Sequence, residues 1–85
     1  MDLVLSKQAS KALARIQPKQ SHAILAALKA VAADPYRRHA NVETLKGYPD
    51  GFRLRHGIWR AVYVVDRARR RMFVEAIKPR GDVYK

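Results

Sequence analysis

The sequence predicts a two-layer α+β domain, β-α-α-β-β-β, with a helix hairpin on one face of a sheet. Three observations predict it. Apolar residues recur at helical spacing through the first 33 residues, and apolar and charged residues alternate over 52–56, a pattern that resumes after Gly57. Pro18, Asp34-Pro35, Pro49-Asp50-Gly51, Gly57 and Pro79 mark the breaks between those segments.

Leu3-Val4-Leu5 is a short apolar run and reads as the first strand. Ser6 caps a helix that runs through Ile16. Ala9, Ala12, Leu13 and Ile16 form its apolar stripe, and Lys7, Lys11 and Arg15 its wet side. Pro18 suits the first turn of the next helix. That helix runs to about Ala33, with Ile24, Leu25, Leu28 and Val31 toward the core, and Asp34-Pro35 stops it. Residues Tyr36 to Thr44 read as an irregular loop.

Phe52 to His56 alternates, with Phe52, Leu54 and His56 on one side and Arg53 and Arg55 on the other. Beyond Gly57, Trp59, Ala61 and Tyr63 share a face opposite Ile58, Arg60 and Val62. A hairpin in suitable register therefore gathers Arg53, Arg55 and Arg60 on one face. Val62 to Val65 has no polar alternation, so both its faces are at least partly covered. Asp66 to Arg71 reads as a turn carrying Arg67, Arg69, Arg70 and Arg71. Met72 to Lys78 reads as the last strand, with Phe73 and Ile77 on one face and Val74 and Ala76 on the other. Trp59 and Phe73 read as core. Periodicity does not order the strands.

Eighty-five residues fit one domain spanning 1–85. Eighteen Lys and Arg against seven Asp and Glu give a net charge of +11. A folded chain this basic points to a polyanion, first of all nucleic acid. With no cysteine there is no disulfide frame and no thiolate metal site, which suits a cytoplasmic location. The longest apolar run, Ala23 to Leu28, is too short to span a bilayer, and the N-terminus lacks a signal-peptide pattern. No phosphate-binding glycine loop, zinc spacing, Ser/His/Asp set or carboxylate pair is present. The residues call for no metal, no small-molecule cofactor and no membrane.

Four pieces resemble the RelE/ParE superfamily of bacterial toxins. They are Leu45-Lys46-Gly47, Gly51-Phe52-Arg53-Leu54-Arg55, Trp59-Arg60-Ala61-Val62-Tyr63 and Arg80-Gly81-Asp82-Val83-Tyr84. In order and spacing they span nearly the whole chain. The resemblance implies a mainly antiparallel sheet whose concave face, away from the helices, is the working surface. It also implies a toxin of a type II toxin–antitoxin pair that enters the ribosomal A site and cuts the bound mRNA codon. The RNA's own 2′-hydroxyl is then the nucleophile, without metal. A cognate antitoxin, the ribosome and mRNA are the implied partners.

That chemistry needs a proton acceptor, cations on the phosphorane and a positioned strand. By resemblance the catalytic group is Arg53, Arg55, Arg60, Arg80 and Tyr84. Arg60 matches the arginine on the scissile phosphate, where a guanidinium fork donates two hydrogen bonds; otherwise it is a surface arginine on a strand facing the antitoxin. Arg80 neutralises phosphate or leaving-group charge, or belongs to a basic tail. Tyr84 stacks on a base or orients the 2′-hydroxyl, or pins the tail. Arg53 and Arg55 stand where some members carry lysines, one of them proposed as general base. Arginine stays protonated, so the charge is kept, the base is weakened and the general base is left unidentified. His56 falls on the opposite face, which leaves Glu75 and Asp82 as candidates. Lys46, Arg67, Arg69, Arg70, Arg71 and Lys78 are further RNA contacts, the arginine run being either an RNA-facing rim or a solvated turn. Two rival readings remain: a ParE-like toxin that inhibits DNA gyrase without catalysis, and a basic RNA-binding domain that does not cut.

Overall fold

The computed structural model describes residues 1–80. Their elements are β1 (Asp2–Leu5), α1 (Lys7–Arg15), α2 (Pro18–Ala33), β2 (Val42–Thr44), β3 (Gly51–His56), β4 (Trp59–Asp66) and β5 (Arg71–Pro79). The five strands form one sheet in the order β1-β5-β4-β3-β2. Only β1 and β5 pair in parallel; the other three pairings are antiparallel. Both helices lie on one side of the sheet, so the architecture is two-layer α+β.

Local chemistry explains the helix ends. The Ser6 hydroxyl accepts from the Ala9 amide at 3.0 Å and caps α1. Pro18 opens α2, where a missing N–H costs nothing. The Ser21 hydroxyl donates to the Leu13 carbonyl at 2.8 Å and ties the second helix to the first. Ala9, Ile16, Ile24, Leu28 and Val31 bury against Leu54, Ala61, Tyr63, Val65, Met72, Val74 and Ile77 of the sheet.

β1 ends opposite Val74, leaving the rest of β5 without a strand on that side. Side chains take over there. The Ser6 hydroxyl donates to the Glu75 carbonyl at 2.7 Å. The Gln8 amide donates to the Ile77 carbonyl at 3.1 Å and accepts from the Ile77 amide at 2.9 Å. Gln8 therefore supplies both bonds that a strand neighbour would make, and it holds the end of β5 that carries Lys78.

Three expectations are corrected. Residues 36–44 are not wholly irregular: Val42–Thr44 pairs antiparallel with Phe52–Leu54 and becomes the far edge of the sheet. Three residues are too few to show a period. The four-residue turn between β4 and β5 is 67–70, shorter than expected, because Asp66 and Arg71 pair as the last residues of the ladder. Phe73 and Ile77 do not share a face. The register shifts between Val62 and Tyr63, and Glu75 is the extra residue, so side-chain parity reverses across it. Met72, Val74 and Ile77 bury, whereas Phe73 is 37% exposed on the helix-free face, against its reading as core. Trp59 is half-buried against the core, and its indole N–H donates to Gln20 Oε1 at 3.1 Å.

Candidate functional site

The hairpin of β3 and β4 closes through two residues, Gly57 and Ile58, with Gly57 at φ +59°. A glycine in that first position matches the twist of the flanking strands and sets the register. Arg55 then pairs with Arg60, and Arg53 with Val62. On the other side of β4, Arg60 pairs with Lys78 and Val62 with Ala76. Directly opposed residues point to the same face, so Arg55, Arg60 and Lys78 form one row across three strands. Neighbouring strands stand about 4.8 Å apart, which makes the row a dense block of positive charge. Arg53 lies one pleat along, beside Val62. The face is the one the helices leave open, as the hairpin parity requires.

Each arginine has its own setting. The Arg60 Nη1 donates to the carbonyls of Gly57 and Trp59, both at 2.9 Å. Both protons of that nitrogen are thereby used. The Nε and Nη2 edge keeps its donors in the fork that suits a phosphate. Arg53 is mostly buried, with 12% of its side chain exposed, and its Nη2 bonds the carboxylate of Glu43. The other carboxylate oxygen of Glu43 stands 3.6 Å from Arg55 Nη2. Glu43 is the direct cross-strand partner of Arg53, so it belongs to this face. Sequence reasoning missed it because the strand that carries it was hidden in a loop. The signal was present: an acid two residues before Leu45-Lys46-Gly47 in a chain with only seven acids.

The remaining predicted residues divide. Lys78 joins the arginine row. Arg80 is exposed just beyond β5, its amide donating to the Ile58 carbonyl at 2.6 Å. That bond sets Arg80 beside the turn that Arg60 braces. Lys46 lies at the tip of a turn closed by the Tyr48 amide on the Leu45 carbonyl, with Gly47 at φ +82°. Arg67, Arg69 and Arg70 occupy the β4–β5 turn at the opposite end of β4 from Arg60, about 23 Å away along the strand. Arg67 pairs with Asp50 at 3.3 Å and Arg69 with Asp66 at 3.9 Å. Arg71 begins β5 beside Asp66 and Asp2 in register. These arginines form a separate rim. Tyr84 and Asp82 lie outside the described residues. Glu75 is exposed at the bulge, and His56 pairs with Trp59 on the helix side, away from the arginines.

Among the described residues no group of three or more His, Cys, Asp or Glu side chains could hold a metal ion. Their helices include none long and apolar enough to cross a membrane. Chemically, the open face can bind an anion through Arg60, Arg55 and Lys78, with one carboxylate within reach.

No family model and no curated relative matches the chain. Solved structures do. The RelE of an archaeal RelE–RelB complex from Pyrococcus horikoshii is similar, with a TM-score of 0.80 and 26% identity over 95% of this chain and 96% of that one. The isolated RelE toxin of E. coli matches with a TM-score of 0.79 and 25% identity over 98% of this chain and 89% of that one. A YoeB/ParE toxin from Agrobacterium tumefaciens shares the fold with a TM-score of 0.77 at 20% identity, over 93% of this chain and 98% of that one.

Proposed function

Proceeding from membership of the RelE/ParE superfamily, which these likenesses support, we propose that this protein is the toxin of a type II toxin–antitoxin pair. Its activity is cleavage of mRNA in the ribosomal A site, which stops translation in the cytoplasm. The observation that carries the nuclease reading is the row Arg55-Arg60-Lys78 on the open sheet face, with the free fork of Arg60 at its centre.

In this reading the mRNA lies on the arginine face with its scissile phosphate against Arg60 Nε and Nη2. Those donors gain strength as the phosphorane gathers negative charge. The 2′-oxygen attacks the adjacent phosphorus, the P–O5′ bond breaks, the leaving oxygen takes a proton from water, and the products are a 2′,3′-cyclic phosphate and a 5′-hydroxyl. Arg55 and Lys78 flank the same phosphate and stabilise its charge. Arg80, held at the adjacent turn, offsets charge on the leaving oxygen. Tyr84 stacks on a base of the bound codon. Glu43 takes the 2′-hydroxyl proton, as the one carboxylate that the ion pairs of the described residues put on the arginine face. Arg53 holds that carboxylate in place and stays protonated. Lys46, Arg67, Arg69, Arg70 and Arg71 contact ribosomal RNA from the rim. The antitoxin is a cognate protein that covers the open face, as its charge complement.

The chemistry is tested on its products. Programmed ribosomes incubated with the protein should release an upstream fragment ending in a 2′,3′-cyclic phosphate and a downstream fragment with a 5′-hydroxyl. A 5′-phosphate product would show a different mechanism.

A further inference from the structure

A second basic site lies on the other side of the β2–β3 edge. Where α2 ends, the sheet's helix side is uncovered, and a recess of about 460 Å³ opens there. This is within the usual size of small-ligand pockets, about 300–1,000 Å³. The ring of Phe52 lines it, stacked on Tyr63 with centroids 5.4 Å apart and planes at 20°. Tyr36, Arg37 and Arg38 come from the loop after α2, and Arg67 from the β4–β5 turn.

Tyr36 is 59% exposed and has no place in the core. The Arg67 guanidinium sits 4.8 Å over its centroid and so fixes one side of the ring. Acid is scarce here. Asp50 is paired with Arg67, and Glu43, which also lines the recess, has its carboxylate held by Arg53 and Arg55. Arg37 and Arg38 have no acidic partner among the ion pairs of the described residues. Aromatic rings beside guanidiniums are what unpaired bases need: a flat face to stack on and cations for the flanking phosphates. Duplex RNA has no free base to offer.

We propose that this recess is a second nucleotide-binding subsite. It takes one unpaired base of a single-stranded RNA against Tyr36 and Phe52, with the adjoining phosphates on Arg37 and Arg38. The strand is the one that lies on the arginine face. Between the two sites stands the edge strand β2, whose Glu43 pairs with Arg53 and whose Val42 and Thr44 line the recess. The inference rests on RNA being the ligand, but not on cleavage. It extends the RNA footprint beyond the cut codon and gives the protein a grip on a flanking nucleotide.

The test uses a short single-stranded RNA, 2′-O-methylated throughout so that it cannot be cut, with 2-aminopurine near one end or the other. The full-length protein should quench one probe position by stacking. Tyr36→Ala, at an exposed position, should abolish that quench at saturating protein and weaken binding about tenfold. Arg37→Gln with Arg38→Gln should flatten the salt dependence by about 0.7 for each phosphate that is no longer neutralised. Arg60→Ala should keep the quench at saturation. Equal quenching by wild type and Tyr36→Ala would overturn the proposal, as would equal affinity for the duplex form. Quenching lost in Arg60→Ala but kept in Tyr36→Ala would assign the strand to the arginine face alone. Because the probe is uncleavable, a protein that never cuts RNA can still pass, and one that cuts can still fail.

Discussion

Replacing Arg60 by alanine removes two separable things. One is the brace on the hairpin turn, made by Nη1 on the carbonyls of Gly57 and Trp59. Each such bond contributes about 0.5–1.5 kcal/mol when buried, and less at this partly exposed turn, so about 1 kcal/mol is lost in all. For a chain of this size that lowers Tm by about 4–8 °C and leaves the protein folded at working temperature. The other is the Nε and Nη2 fork, the donors proposed to face the reacting phosphate. Loss of one preorganised donor to developing negative charge costs about 10²–10³ in rate. Single-turnover cleavage on programmed ribosomes should therefore fall by about that factor, with ribosome binding changed far less. Arg60→Lys keeps the charge but cannot both span two carbonyls and present a fork, so it should recover only part of the rate. A folded Arg60→Ala protein cutting within about threefold of wild type would refute the reasoning, since no transition-state donor is so cheap.

Glu43→Gln keeps an oxygen for Arg53 and Arg55 but cannot accept a proton, so single-turnover cleavage should fall by about 10²–10⁴, the usual weight of general-base catalysis; a rate near wild type would leave Glu43 only aligning the arginines. Gly51 has no room for a side chain: a Cβ there would stand 2.9 Å from Tyr48 Cβ and 3.1 Å from its carbonyl oxygen. Gly51→Ala should destabilise by about 1–3 kcal/mol in urea melts, and an unchanged midpoint would mean that the turn shifts freely. Burial pushes the Tyr63 phenol up from 10.0 to about 12. The unfolded chain ionises first, so this contribution is complete below pH 10 and is lost as pH rises toward 12. Over that window it amounts to about 2–3 kcal/mol, read from denaturant melts at several alkaline pH values, and Tyr63→Phe should flatten the decline.

How far the sequence could be read depended on how each element declares itself. Both helices were legible because their stripes, the Ser6 cap and the Pro18 and Asp34-Pro35 breaks all agree. The arginine face was legible too. Strand parity puts Arg53 and Arg55 together, and a two-residue turn at Gly57 fixes the register that brings Arg60 opposite Arg55. Parity failed at β5 for a physical reason: one unpaired residue, Glu75, reverses every face beyond it, and nothing in Phe73-Val74-Glu75-Ala76 marks the bulge. The parallel edge of β1 depends on long-range packing, which local periodicity does not carry. Glu43 and the recess at Tyr36 were hidden together. Both depend on the three-residue strand β2, whose pairing with β3 carries Glu43 to the arginine face and opens the space behind it.

The reading of this protein as a ribosome-dependent nuclease is most directly tested by primer extension on mRNA held in programmed ribosomes, with and without the purified protein. A new stop within the A-site codon, lost in Arg60→Ala protein shown to be folded by circular dichroism, is the predicted result. No stop with folded wild-type protein would contradict it, and inhibition of gyrase supercoiling by the same preparation would then assign the chain to the ParE-like reading.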